Sequence, residues 1–338
     1  MSLHRLQMSN RMSHERAIAL MEKAGHLYFH SPCFDGIVSC VLAWDFLETT
    51  EDWYVEETHS VNYDAQATWL STSLAGSAAV VDFLYHPQAE FWADHHATTF
   101  LTPRAKQDYE RRSDPRLVYD KRIGSCALLL WNHLKEAFGY RNPRYECLAK
   151  WADKIDSARY SSVEEAIFGE QPALLINLSL GGQDGKLYSS RVVRLLRNEP
   201  LDRVVQLPEV SVRAEQARAM TRAGLDRFAR RSRLEQEIAV FDVDSSDVII
   251  SRYAPYYFFP GARYSAGIVR SEKGASLTAM RNPWREFQSV PLGNIFERFG
   301  GGGHDRVASV MFPADRAAEA HEVLNQIIGE IRREDAQR

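Results

Sequence analysis

The chain has 338 residues, 45% of them hydrophobic and 25% charged, which favours two domains over one small core and matches a soluble globular protein. A formal net charge of −4 excludes a global positive field that would recruit nucleic acid, so any polyanion must be bound by local patches or through metal. Cys33, Cys40, Cys126 and Cys147 lie scattered without CxxC pairs, which excludes a dense disulfide scaffold and points to a reducing compartment.

In chain order, Met1 to Arg16 is polar and lacks the apolar core of a signal peptide. No stretch reaches the roughly 18–20 apolar residues of a membrane span. The expected location is the cytoplasm. Gly25–Phe29 reads as a strand and Gly36–Leu47 as the helix after it. Trp53–Val55 and Val61–Tyr63 are weaker strand signals, Ala78–Asp82 is a buried strand, and Glu90–Ala93 is another. Leu117–Tyr119 precedes a helical run, Cys126–Phe138, and Tyr145–Asp156 is a helix with Asp153 and Asp156 on neighbouring turns. This alternation predicts an α/β domain with a parallel sheet and helices on both faces, over residues 1–190. An arginine-rich helical connector is expected over 191–236 and reads mostly as a solvated face. A smaller α/β domain, 237–338, carries strand signals at Ile238–Val243, Val248–Ser251, Tyr264–Arg270, Ser276–Arg281 and Ala308–Phe312, then a helix near Ala317–Arg332.

The chemistry concentrates at strand ends, where open parallel sheets bind ligands. His30 and Asp35-Gly36 lie at the first strand-to-helix turn, Asp82 ends a buried strand, and Asp94-His95-His96 follows the next strand. Carboxylates and imidazoles in this arrangement can cage divalent cations, which neutralise a phosphate and acidify a bound water. Asp94 can fix the tautomer of a neighbouring histidine, and His96 can donate to phosphate or carry a proton to a leaving oxygen. Gly300–Gly303 followed by His304 can offer backbone N–H groups and a side-chain donor to an anion.

This ordered set resembles the DHH phosphoesterase superfamily, in the branch with a C-terminal DHHA1 domain. The resemblance spans nearly the whole chain and rests on His30, Asp35-Gly36, Asp82, Asp94-His95-His96, the Asp153 region and Gly300 to His304. It implies metal-dependent cleavage of phosphate esters by a metal-activated water, commonly with two manganese ions. His30 and Asp82 would hold one ion; Asp35, Asp82, His95 and Asp153 would hold the other, Asp82 bridging. Asp156 is the alternative to Asp153, and one of the two is expected to pair only with Lys154 or Arg159. The resemblance also assigns substrate binding to Arg281, Gly301, Gly302, Gly303 and His304. The family's first motif carries an aspartate where this chain has Cys33, and a thiolate favours softer ions than manganese.

The implied substrate is a short oligonucleotide or small nucleotide. Two other readings compete: a single-strand exonuclease, and a nucleotide-binding regulatory protein whose catalysis is weakened at Cys33. The expectation leaves the oligomeric state open, a homodimer included.

Overall fold

The computed structural model describes residues 24–182 and 184–338, so the reading of Met1 to Arg16 lies outside the described residues. The chain divides into two compact units.

In the first unit, residues 24–159 and Gln171–Ser211, five strands form an all-parallel sheet. These are β1 (Ala24–His30), β2 (Tyr54–Val61), β3 (Ser77–Val81), β4 (Ala89–Asp94) and β5 (Leu117–Tyr119). The two weak strand signals belong to the single strand β2 and its exit, where the Asn62 side chain accepts from the Tyr63 N–H and starts a short 3-10 turn. The longer helices are α1 (Phe34–Thr50), α2 (Pro103–Arg112), α3 (Cys126–Phe138), α4 (Pro143–Asp156) and α5 (Gly185–Asn198). The Ser125 hydroxyl accepts from the Leu128 N–H at the start of α3, and left-handed Gly139 closes that helix.

Alternation along the strands separates two cores. Leu27, Phe29, Ala79, Val81, Phe91 and Ala93 face the core built with α1, α3, α4 and α5. Tyr28, Val80 and Trp92 face the other, with Trp69 and Phe83. Both sheet faces are covered, which is why these strands read as continuous apolar runs. The strand order β2-β1-β3-β4-β5 reverses between β1 and β3. In such doubly wound sheets the connections leave in opposite directions at that point and open a crevice at the carboxyl ends of the strands.

The second unit, Tyr160–Glu170 and Val212–Arg338, holds a six-stranded mixed sheet in the order β10-β11-β9-β8-β7-β6. Its strands are β6 (Ser232–Glu235), β7 (Ile238–Asp244), β8 (Tyr264–Ser271), β9 (Gly274–Arg281), β10 (Gly302–His304) and β11 (Val307–Pro313). Only β7 and β8 run parallel. Helices α6 (Pro208–Arg230), α7 (Leu292–Glu297) and α8 (Ala320–Asp335) accompany it, and Val240, Ile268, Leu277 and Val310 pack with Leu324 and Ile327 of α8.

Two expectations fail here. Val248–Ser251 is not a strand: the Ile249 N–H donates to the Met220 carbonyl of α6, and Gly224 leaves room for that approach, since a Cβ there would sit 2.0 Å from the Ile249 oxygen. Residues 232–235, read as helical, form β6 against β7. Among the described residues no helix is long and apolar enough to cross a membrane.

Candidate metal centre

The carboxyl ends of β1, β3 and β4 bring together the residues that the sequence separates. Asp82 follows β3 in the left-handed region at φ 55°, with its side chain buried. A non-glycine residue held there carries backbone strain, a feature that clusters at functional sites. His30, at the end of β1, places Nδ1 3.4 Å from Asp82 Oδ2. Gly36 makes this packing possible: a Cβ on it would meet the His30 carbonyl oxygen at 2.0 Å and Asp82 Oδ2 at 3.2 Å.

Asp35, in the first turn of α1, accepts from the N–H groups of Cys126 (2.7 Å) and Ala127 (2.9 Å) at the start of α3. Burial raises its pKa to about 6, against the lowering effect of those two bonds. Burial also raises Asp82 well above the ordinary range, reinforced by the charges of Asp35, Asp94 and Asp156. Among the described residues, the ion-pair partners of Asp35 and Asp82 are histidines, not lysine or arginine.

His95 stands where these carboxylates converge. Its Nε2 lies 3.7 Å from Asp35 Oδ2, 3.8 Å from Asp82 Oδ1 and 3.5 Å from Asp156 Oδ2. Its Nδ1 lies 3.2 Å from the Ile123 carbonyl oxygen. A carbonyl only accepts, so Nδ1 carries the proton and Nε2 turns a lone pair toward the carboxylates. Burial lowers the His95 pKa, with the charge of His96 acting in the same direction, so the ring is neutral. Asp82 Oδ1 and His95 Nε2 are both buried without a hydrogen-bond partner. Lone pairs facing lone pairs, without a donor between them, are the signature of a site for a cation.

The same donors fall into three overlapping triads: His30, Cys33 and Asp82; Asp82, His95 and His96; and Asp35, His95 and Asp156. His30 is held neutral, its pKa lowered to about 4 by burial and then by His96. The Cys33 thiol is pushed up by burial and by the surrounding carboxylates. The donor set suits divalent metal: neutral imidazole, carboxylate oxygen and one sulphur.

The structure resolves the two aspartates of α4. Asp156 faces His95, whereas both oxygens of Asp153 are taken by Arg159 Nη2 at 2.6 and 2.5 Å. Asp156, rather than the expected Asp153, stands with Asp35 and His95 in this cluster.

Asp94 and His96 are arranged differently. Asp94 Oδ1 accepts from the His95 N–H (2.8 Å), the His96 N–H (3.3 Å) and His96 Nδ1 (2.7 Å). Burial works against charge on His96, but the bond to Asp94 and its charge outweigh it and raise the pKa to about 9. Tyr63, which sequence reading passed over as the end of a weak strand, stands edge-on to the rings of His30 (5.2 Å) and His96 (6.2 Å).

In the second unit a pocket of about 510 Å³ is lined by Gly302, Gly303, His304, Arg252, Thr278 and Met280, among others. Two of the expected binding residues are absent from its lining. Along β9, Ser276, Thr278 and Met280 line it, and Arg281 points to the opposite face by the two-residue period of a strand. The Arg281 guanidinium instead donates to the carbonyls of Asn282 (3.1 Å), Arg285 (2.8 Å) and Phe287 (3.2 Å). The Gly301 N–H donates to the Phe296 carbonyl, so it is not offered to a ligand. Arg252, which sequence reading did not single out, is the pocket's arginine.

No family model and no curated protein matches this sequence. Solved structures do. A pGpG-specific phosphodiesterase from Vibrio cholerae superposes with a TM-score of 0.66 at 17% identity, covering 91% of this chain and 99% of that one. The DHH domain of a protein assigned to a family of ribosomal proteins gives 0.55 at 12% identity, covering 93% and 88%. The chain has the DHH fold. The manganese complex of RecJ from Thermus thermophilus gives 0.59 at 15% identity, covering 94% of this chain but only 54% of RecJ. The superposition with the phosphodiesterase extends over both units, and Asp94-His95-His96 of this chain begins at the last residue of β4.

Proposed function

We propose that this protein is a divalent-metal-dependent phosphoesterase that hydrolyses phosphate ester bonds in short oligonucleotides or small nucleotides. One observation carries the reading: buried Asp82 Oδ1 and His95 Nε2, 3.8 Å apart and without a hydrogen-bond partner, at the switch point of a doubly wound sheet. The DHH fold supports it, since structures of this shape include a pGpG-specific phosphodiesterase and a manganese-bound exonuclease, RecJ.

Two ions fit the donors. His30, Cys33 and Asp82 would hold one; Asp35, His95 and Asp156 would hold the other, with Asp82 Oδ2 toward His30 and Oδ1 toward His95. The second set is oxygen-rich and suits manganese or magnesium, while the Cys33 sulphur inclines the first toward a softer ion. When bound, such ions neutralise a phosphate's charge and supply a water acidified to a pKa of about 7.

The chain's own groups do the rest. Burial disfavours charge on Asp35 and Asp82, so a cation beside them would stabilise their ionised form, and the two carboxylates would hold it there. The Ile123 carbonyl keeps His95 in the ligating tautomer. Asp94 keeps His96 protonated, ready to donate to a phosphate oxygen or to the leaving oxygen. In the second unit, Arg252 and His304, beside the close backbone of Gly302 and Gly303, have the chemistry to hold a phosphate, with Phe241, Ile250 and Met280 as an apolar wall for a base.

The test is a hydrolysis assay with manganese on a dinucleotide, a short RNA, a cyclic dinucleotide and adenosine 3′,5′-bisphosphate. Product is expected from at least one, and His95→Ala should lower the rate by about 1,000-fold while leaving the fold intact. No turnover with any divalent ion, in a protein that nonetheless binds nucleotide tightly, would favour the non-catalytic reading raised by Cys33.

A further inference from the structure

A second concave site, wholly within the second unit, is rich in arginine. A pocket of about 700 Å³ is lined by Arg227, Arg230, Arg231, Ser232, Arg233, Arg270, Asp242 and Asp244. Two features of the fold gather these residues. Arg227 and Arg230 are three apart in the last turn of α6 and so share a helix face. In the sheet, Arg233 pairs with Val240 and Arg270 with Asp244, so Arg233, Asp242, Asp244 and Arg270 share one face of the β6-β7-β8 ribbon.

Part of this charge is neutralised within the protein. Arg270 binds Asp242 through two bonds at 2.7 and 2.9 Å, and His321 also reaches Asp242 at 2.8 Å. Arg227 pairs with Asp247 at 2.6 Å and with Asp244 at 3.7 Å, and Arg233 pairs with Glu235 at 2.5 Å. Arg230 and Arg231 are different. Both are exposed, and neither has a side-chain hydrogen-bond or ion-pair partner among the described residues. Next in the chain, Ser232 opens β6 on the face opposite Arg233, and its hydroxyl is buried without a hydrogen-bond partner. The lining has no aromatic or aliphatic side chain, so it offers a base neither a ring nor an apolar wall.

We propose that this pocket binds closely spaced phosphate groups, through Arg230 and Arg231 as forked donors, with the paired arginines as its rim. Guanidinium groups match phosphate oxygens in pairs, and the absence of an apolar lining makes recognition independent of the base. The same chemistry is offered by a free polyphosphate and by adjacent phosphates of a single-stranded nucleic acid. The site does not depend on the proposed hydrolytic reaction, and binding is measurable whether or not the protein proves to be an esterase.

The experiment is calorimetric titration of the full chain, without divalent metal, using two probes: tripolyphosphate and an oligodeoxyribonucleotide of about ten residues. The variants are Arg230→Ser/Arg231→Ser and the charge-preserving Arg230→Lys/Arg231→Lys; both positions are exposed, and folding is checked by thermal denaturation. The serine variant is expected to bind at least one probe about 100-fold more weakly, with a shallower salt dependence, and the lysine variant to recover part of the loss. Loss with tripolyphosphate alone assigns a free polyphosphate, and loss with the oligonucleotide assigns a strand. Unchanged affinity of the serine variant for both probes, or no binding of either by the parent chain, overturns the proposal.

Discussion

Asp153 and Asp156 stand one turn apart on α4, and Arg159 decides between them by taking both oxygens of Asp153. Asp156 is left facing His95 Nε2 at 3.5 Å. Asp156→Asn should therefore lower the manganese-supported rate by about 100-fold and weaken metal binding, whereas Asp153→Asn should keep the rate within about tenfold. Loss of the ion pair with Arg159, which is largely exposed, should cost Asp153→Asn no more than about 1 kcal/mol. Metal titration and steady-state rates on both variants check this; equal losses would contradict it. Sequence spacing alone offered both residues, because positions three apart on a helix share a side and only a partner in space breaks the tie. Arg281 illustrates the same limit. Its place at the end of a strand pattern was visible, but alternation says only that it opposes Thr278 across the sheet, not which face bounds the pocket.

At the level of elements, the strand-to-turn junctions were legible because each is a buried apolar run ended by a polar residue. β1, β3 and β4 all end at ligand candidates for that reason. Less legible were the pieces fixed by long-range pairing. β6 forms because β7 offers it an edge, and Gly302–His304 becomes β10 because β11 turns back beside it. Gly36 tests the junction between β1 and α1 directly. Gly36→Ala would press a methyl group against the His30 carbonyl oxygen at 2.0 Å, with only backbone to yield. The expected outcome is a loss of about 1–3 kcal/mol in stability together with weakened metal binding, read by thermal denaturation with and without manganese. A variant as stable as the parent, with unchanged metal affinity, would show that this contact is relieved at no cost.

For the molecule as a whole, the metal centre ties stability to pH. Asp35 titrates at about 6 in the folded protein rather than at the usual 3.8, and Asp82 is shifted in the same direction. Without metal the folded state therefore holds protons that the unfolded chain has released, and this contribution to stability falls as pH rises through that interval. A divalent ion binds the deprotonated carboxylates, so the rise in Tm produced by manganese should be larger at about pH 8 than at about pH 5. A pH-independent rise would place the binding elsewhere. The two-unit α/β organisation and the ordered motif set were legible from the sequence because apolar periodicity and strand-end chemistry are local. The ligand set was less so, because it depends on which lone pairs meet in space. Anomalous scattering from manganese-soaked crystals tests that meeting most directly. Two peaks are expected, one within bonding reach of Asp35, His95, Asp156 and Asp82 Oδ1, the other beside His30, Cys33 and Asp82. Manganese bound only away from Asp82 and His95 would contradict the account.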